Sequence, residues 1–532
     1  MNTKLLNSQW QRLPEKTIRA LQLVKLRRYL RDIVLPSSAY YREMFRGLNI
    51  TADDIRSFDD WAHVPFTQKA DLLPSADNPQ KAKDFLLLPD RNRLARRPST
   101  ILRAIFYGRE KAKRHLEDEY RPIFLTSTTG RSADPVSFLY SQHDLCNLKM
   151  GAERVFQIAG ATREDKMLNM FPYAPHLAFW LSHYGSTTFG SFMASTGGGK
   201  TMGTEGQLRF LKKVNPEVLI GMPTFVYHVL HEAVEQGVRC TNLRRIVLGG
   251  EKVPDGMRTK LRNLALELDS HGCDVVSTYG FTEAKMAFAE CPAPAGEAMA
   301  GFHTFPDLAL FEIVDPISGT PVGPGEPGEI VYTPLDARGT VALRYRTGDC
   351  ISEGLHYEEC PHCGRMLPRL VGKISRSSAV QEMSLGKLKG TLVDFNELEH
   401  LLDDAHNIGA WQLELRKQND DPMEVDELVL HLHKLGATDD LQIEKEVCRR
   451  FAAHTEVQPN RIVFHSAADM RRLQGVGTEM KEKKVVDHRP QAKPVPEELK
   501  PSKNESDTEW RVRNRAITVE DKSETILTRR DA

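Results

Sequence analysis

Short apolar runs punctuate the chain from Phe124 onward. The clearest are Lys166-Met167-Leu168-Asn169-Met170-Phe171, Glu217-Val218-Leu219-Ile220-Gly221, Arg245-Ile246-Val247-Leu248-Gly249 and Val275-Val276-Ser277. Runs of this length, bounded by polar residues or glycine, read as buried strands. Pro122-Ile123-Phe124-Leu125 reads the same way. The longer stretches between them carry apolar residues at helical spacing. One opens at Asp144, with Leu145, Leu148, Val155 and Phe156 on one side. Another runs from Thr224 to about Gln236, and a third from Asp255 to Leu268. Strand and helix in alternation predict a layered α/β domain.

The rhythm changes after Leu370. Asn396–Leu402 reads as a helix, Leu428, Leu430 and Leu432 alternate as a strand, Ile443, Val447 and Phe451 mark a helix, and Ile462-Val463-Phe464 a strand. That predicts a second, compact α+β module. The boundaries expected are a large domain over 1–371, a small one over 372–489, and a tail over 490–532 too rich in Lys, Glu, Pro, Ser and Arg to bury a core. At the other end, Trp10, Leu13, Ile18, Leu21 and Val24 predict an amphipathic start. The stretch 91–115 is basic, with Ile101-Leu102 and Ile105-Phe106 inside it. Such a helix lies on a membrane, holds an acidic partner, or packs its apolar stripe on the protein and shows its charges to water; the last is the commonest case.

Composition narrows the classes. Lys plus Arg and Asp plus Glu are both 72, so the formal net charge is zero and nothing points to nucleic acid as a partner. No run of about 20 apolar residues offers a transmembrane segment, and the first residues lack a signal-peptide pattern. Eight cysteines in 532 residues are too few for a disulfide scaffold, so a reducing, cytoplasmic setting is expected. Oligomeric state is open, a dimer included.

Four short motifs carry candidate chemistry. Thr126-Ser127-Thr128-Thr129-Gly130-Arg131 sets hydroxyls, a glycine and a cation on one turn, a way to wrap a polyphosphate with backbone N–H groups and charge. It lacks Walker spacing. Gly249-Gly250-Glu251 closes a strand, and paired glycines let a flat ring approach the backbone. Tyr279-Gly280-Phe281-Thr282-Glu283 offers an aromatic face, a hydroxyl and a hard oxygen ligand. Arg344-Tyr345-Arg346-Thr347-Gly348-Asp349 ends on a carboxylate able to accept two hydroxyls. Each alone is also an ordinary turn.

Their order over one chain resembles the adenylate-forming superfamily of acyl-CoA synthetases and ligases, in its phenylacetate–CoA ligase-like subfamily. Gly390–Glu399 and Lys481–Arg489 add to the resemblance, which covers roughly 35–490. It implies the adenylate-forming architecture: a large layered α/β domain followed by a small mobile α+β domain. It implies that Thr128, Thr129, Gly130 and Arg131 hold ATP phosphates. Gly250 and Glu251 would border adenine, with Tyr279 stacked on it, and Gly280 would belong to the same nucleotide-binding set. Thr282 would contact the α-phosphate, Glu283 the Mg²⁺, and Asp349 and Lys373 the ribose. Lys481 would be the mobile lysine that offsets repulsion between an anionic carboxylate and an anionic phosphate. The implied activity is conversion of a carboxylic acid to an acyl-adenylate with loss of pyrophosphate, then transfer to coenzyme A. The aromatic stretches Phe171–Trp180 and Met222–Tyr227 suit an aromatic acid.

Departures from the pattern keep two other readings open. Ser127 stands where glycine is usual, Arg131 where lysine is common, and Met480 where a glycine precedes the lysine. The hinge, Gly372-Lys373-Ile374-Ser375-Arg376, lacks its acidic residues, and Lys483 and Lys484 rival Lys481. The acceptor is then a carrier-protein thiol, an amine or a protein, or the chain is a silent nucleotide-binding relative. Cys360-x-x-Cys363 has structural-zinc spacing, which redox pairs and plain buried turns share. The resemblance brings in Cys291 and His303 as the other two zinc ligands.

Overall fold

The computed structural model describes residues 9–489 apart from 75–77, 129–134, 295, 377–379, 386–387, 419–424, 455–456 and 479–481. The apolar runs assemble as the centre of a nine-stranded sheet. Phe192–Ser195, Lys166–Asn169, Val218–Gly221, Arg245–Gly249 and Asp274–Phe281 lie side by side and parallel. Val218–Gly221 and Arg245–Gly249 are buried along their whole length. Parallel strands need crossovers, and helices Leu177–Phe189, Gly199–Val214, Pro223–Glu235 and Asp255–Glu267 supply them. Beyond Asp274–Phe281 the sheet turns antiparallel through Met286–Ala289, Phe302–His303, Arg369–Leu370 and Leu355–His356.

The run at Pro122–Leu125 is a correction. The strand there is Phe124–Ser127, and it pairs only with Ser137–Tyr140 in a two-stranded ribbon. Ile123 and Leu125 are exposed, since one face of such a ribbon has nothing to pack on. A four-stranded antiparallel sheet follows, ordered Ala309–Val314, Gly328–Pro334, Tyr345–Ile351 and Ile374–Arg376.

Past Phe395 a separate core forms around Leu398, Trp411, Leu413, Leu430, Val447 and Phe451. Its sheet runs Arg461–Phe464, Asp426–Lys434, Ile408–Lys417, Val485–Asp487. The elements read at 396–402, 428–432, 443–451 and 462–464 are all present. This second core leans on the first through specific contacts. Lys252 pairs with Glu399 at 3.2 Å and Arg471 with Glu232 at 2.5 Å. His228 Nε2 meets Gln474 Oε1 at 3.2 Å. Gly477 abuts Gly199 so closely that a Cβ on Gly199 would overlap it.

At the start, helix Glu15–Tyr29 buries Ile18, Leu21 and Leu26, while Trp10 and Leu13 are buried ahead of it. The basic stretch departs from the commonest case. Helix Pro98–Tyr107 buries none of its residues, and Ile101, Leu102, Ile105, Phe106 and Tyr107 face solvent. A stripe in the sequence shows which side of a helix is apolar, not that anything covers it.

Candidate active site

The carboxyl ends of the parallel strands open onto a cavity of about 960 Å³. That is where ligands bind in sheets of this kind, because strand ends and helix starts leave backbone groups unpaired there. Met222 directly follows one strand, Phe171 lies two residues past another, and Gly249 ends a third with Gly250 after it; all four line the cavity. Gly250 has φ +85°, a conformation other residues adopt only under strain. A Cβ on Gly249 would collide with the Thr278 hydroxyl. With Phe156, Ile220 and Val247, this side is apolar.

The other side is polar. Thr128, Gly280, Thr282, Glu283, Thr347 and Arg376 line it. Thr128 is fixed by its ribbon: its Oγ1 accepts from Val136 N at 3.0 Å. Tyr345 donates its hydroxyl to Glu283 Oε1 at 2.7 Å, and burial pushes the Glu283 carboxyl above the usual carboxylate range. Tyr279 donates to Asp349 Oδ2 at 2.9 Å, and Arg376 Nε pairs with Asp349 Oδ1 at 2.7 Å. Asp349 and Arg376 are direct partners across adjacent antiparallel strands.

Other expected residues lie elsewhere. The Tyr279 ring packs near Phe281 and Phe302, with centroids 5.5 and 5.9 Å away. Glu251 accepts from the Thr224 hydroxyl at 3.0 Å, at the start of helix Pro223–Glu235. Burial and the neighbouring Glu251 push Glu482 well above the carboxylate range. Lys373 is exposed, its backbone N donating to Ser352 Oγ at 2.8 Å; the cation on Asp349 is Arg376. Thr129, Gly130, Arg131 and Lys481 lie outside the described residues. Of the rivals to Lys481, Lys483 is exposed, and Lys484 has its ammonium 3.0 Å from both Asp403 oxygens. Arg344 is structural: its buried guanidinium holds Glu312 at 2.9 Å and the carbonyls of Ala62 and Val64.

Sequence reasoning missed Arg376 and Tyr345 as cavity residues. Arg376 had a signal: it is the second cation of the hinge stretch, three residues past Lys373.

Cys291, His303, Cys360 and Cys363 converge, with one ligand atom from each all within 4.8 Å of one another. Cys291 Sγ lies 3.6 Å from Cys360 Sγ, and Cys363 Sγ 3.3 Å from His303 Nε2. Tetrahedral zinc with thiolates at about 2.3 Å would set sulfurs roughly 3.8 Å apart, so these residues fit that ion. His303 Nδ1 faces the Ala289 carbonyl at 3.3 Å, a contact that turns Nε2 toward the sulfurs. Hydrogen bonds from Cys291 and Cys360 hold the Cys363 thiol far below its ordinary value.

A parallel sheet and a β-rich lobe around one cavity with a glycine-lined wall and a Thr-Glu pair, followed by a small α+β module, is the arrangement expected of the adenylate-forming class. Residues 79–334 match the AMP-binding enzyme family. The chain is thus similar to adenylate-forming enzymes, and among them to the phenylacetate–coenzyme A ligases. It is 26% identical over 364 residues to a phenylacetate-coenzyme A ligase of Thermus thermophilus, covering 67% of this chain and 70% of that one. Against the phenylacetate-coenzyme A ligase of Aromatoleum evansii it is 25% identical over 337 residues, 62% of this chain and 66% of that one, just under two thirds. Among solved structures, 2-hydroxyisobutyryl-CoA ligase in the postadenylation state superposes with a TM-score of 0.70 at 16% identity, over 91% of this chain and 92% of that one.

Proposed function

We propose that the protein activates a carboxylic acid with ATP and Mg²⁺, releases pyrophosphate, and passes the acyl group from its adenylate to coenzyme A. The observation that carries this is a single cavity with an apolar wall beside a polar one, at the ends of the parallel strands. Phe156, Phe171, Ile220, Met222 and Val247 would take the acid's body, and their flat apolar surfaces favour an aromatic acid. Gly249 and Gly250 would let adenine lie against the backbone. Asp349, oriented by Tyr279 and Arg376, would accept the ribose hydroxyls. Thr128 and Thr282 would donate to phosphate oxygens.

Glu283 fits magnesium: a buried carboxylate whose hydrogen bond to Tyr345 leaves lone pairs for a hard cation. Bound there, the ion would supply charge neutralisation at the phosphates. Lys481 would bring a cation to the attacked phosphate; Lys484, tied to Asp403, would hold the small module together instead. The cysteine–histidine cluster would carry a structural zinc.

The test is pyrophosphate release from Mg-ATP with a panel of aryl and alkyl acids, with and without coenzyme A. Acid-dependent release that turns over only with coenzyme A supports the reading. No release with any acid overturns it. The exposed Lys373 in a hinge without acidic residues favours a second reading, an acceptor other than coenzyme A. Release that stalls after one turnover in both conditions would select it.

A further inference from the structure

Beyond Pro98 and Ser99, helix Pro98–Tyr107 is a ridge and lines no cavity described above. None of its residues is buried, and Ile105 and Phe106 are 70% and 75% exposed and do not line the cavity. Cations flank it on both sides, although helix Arg109–Tyr120 balances its four with Glu110 and, one turn further on, Glu117, Asp118 and Glu119. Arg93 and Arg96 precede it, and Arg109, Lys111, Lys113 and Arg114 follow, all exposed. Residues 91–115 hold nine Lys or Arg against one acid, Glu110, a net +8 in a chain whose total is zero. A second observation is independent of the ridge. A cleft of about 760 Å³ reaches its first residues, Pro98 and Ser99. Six of its lining side chains are cationic, among them Lys25, Arg28, Arg31 and Arg97, against three acidic ones, Asp32, Glu119 and Asp336.

We propose that this face docks on the surface of an anionic lipid bilayer. A convex apolar ridge needs a phase that closes around it, and its cations need anions beside that phase. Headgroups over acyl chains supply both without matched shape. A protein partner would have to present an acid-rimmed groove of the right length. The ten-residue helix is about 15 Å long and lies in the plane of the interface, since no helix among the described residues is long and apolar enough to cross a membrane. The cleft beside Pro98 takes an anionic headgroup. Binding is local: it follows the patch, not the neutral chain, and weakens with salt.

The experiment is co-sedimentation of the full chain with phosphatidylcholine vesicles, with and without phosphatidylglycerol, at low and high salt. Binding to the anionic vesicles alone, reduced by salt, is expected. Ile105→Glu with Phe106→Glu should cut it at least tenfold, and each of Arg93→Gln, Arg96→Gln and Lys111→Gln roughly fivefold. These side chains are exposed, so circular dichroism melts should not change; a vesicle loss without a melt shift isolates the surface. Three results overturn the proposal: no vesicle binding, equal binding by the Ile105/Phe106 variant, or a salt-resistant dimer that this variant abolishes, which assigns the ridge to a second copy. Binding of polyglutamate at these residues without vesicle binding also overturns it, in favour of an acidic protein.

Discussion

Glu283 and Cys363 both rest on neighbouring side chains, but the two neighbourhoods are built for different ends. Around Glu283 and Arg376 the contacts are few and one-sided: each is held by a neighbour, Tyr345 or Asp349, and keeps a flank on the cavity. Around Cys363 the contacts close on themselves, with four ligand atoms turned inward. Open bonds can be traded for bonds to a substrate. Closed ones fix loops relative to one another and leave no room for a reactant. The cavity is therefore where substitutions should change rates, and the cluster where they should change stability.

The sharpest break is at the cluster. Cys360→Ser, or stripping metal with a chelator, should cost on the order of 5 kcal/mol of stability, read by melting alongside metal content by mass spectrometry. An unchanged melt would place the cluster with ordinary buried thiols. Next, Glu283→Gln should lower the rate of acid-dependent pyrophosphate release by about 10²–10³-fold at an unshifted melting temperature. Wild-type turnover in that variant would remove Glu283 from the chemistry.

A third outcome tests the contact between the two cores. Burial lowers the His228 imidazole from its ordinary value to about 4, against the raising effect of its hydrogen bond to the Gln474 amide oxygen. The packed state then holds fewer protons than the separated state below about pH 6.5. The contact's stability is full above that pH and is lost as pH falls toward about 4, on the order of 3 kcal/mol at most. His228→Gln should flatten that window in melts compared with wild type; parallel pH profiles would discard the idea. The smallest effect is expected from Arg376→Ala: about tenfold in KM for ATP, with kcat nearly kept. If Lys373→Ala gives that result instead, the ribose role belongs to Lys373.

What the sequence revealed follows from what each signal measures. Runs such as Ile246-Val247-Leu248 are long enough to demand burial on both faces, so the sheet's parallel centre was legible. Pro122–Leu125 is as apolar but pairs with one strand only, and pairing partners do not show in a run. The strand Ile408–Lys417 was passed over although Trp411, Leu413 and Leu415 alternate in it. The motifs pointed to Thr282 and Glu283, which line the cavity, and to Asp349, which pairs with the lining residue Arg376. They could not show that Arg376 would stand opposite Asp349, because that depends on strand register across 26 intervening positions. Cys360-x-x-Cys363 was local and visible; Cys291 and His303 came only through the family resemblance, since distant ligands leave no spacing to read. The ridge at Pro98–Tyr107 marks the limit: periodicity assigned its apolar side, and packing left that side bare.

The pairing of Asp349 with Arg376 has one more consequence. Between them the chain runs out to Cys360 and Cys363 and returns. Side chains alternate across a strand, so gaining or losing a single residue in the return strand would turn Arg376 to the opposite face. The excursion is pinned at its tip by the cluster and at its base by the sheet. Surface loops usually absorb insertions freely; this one has to be kept to length, as a ruler that sets where a cation meets a carboxylate.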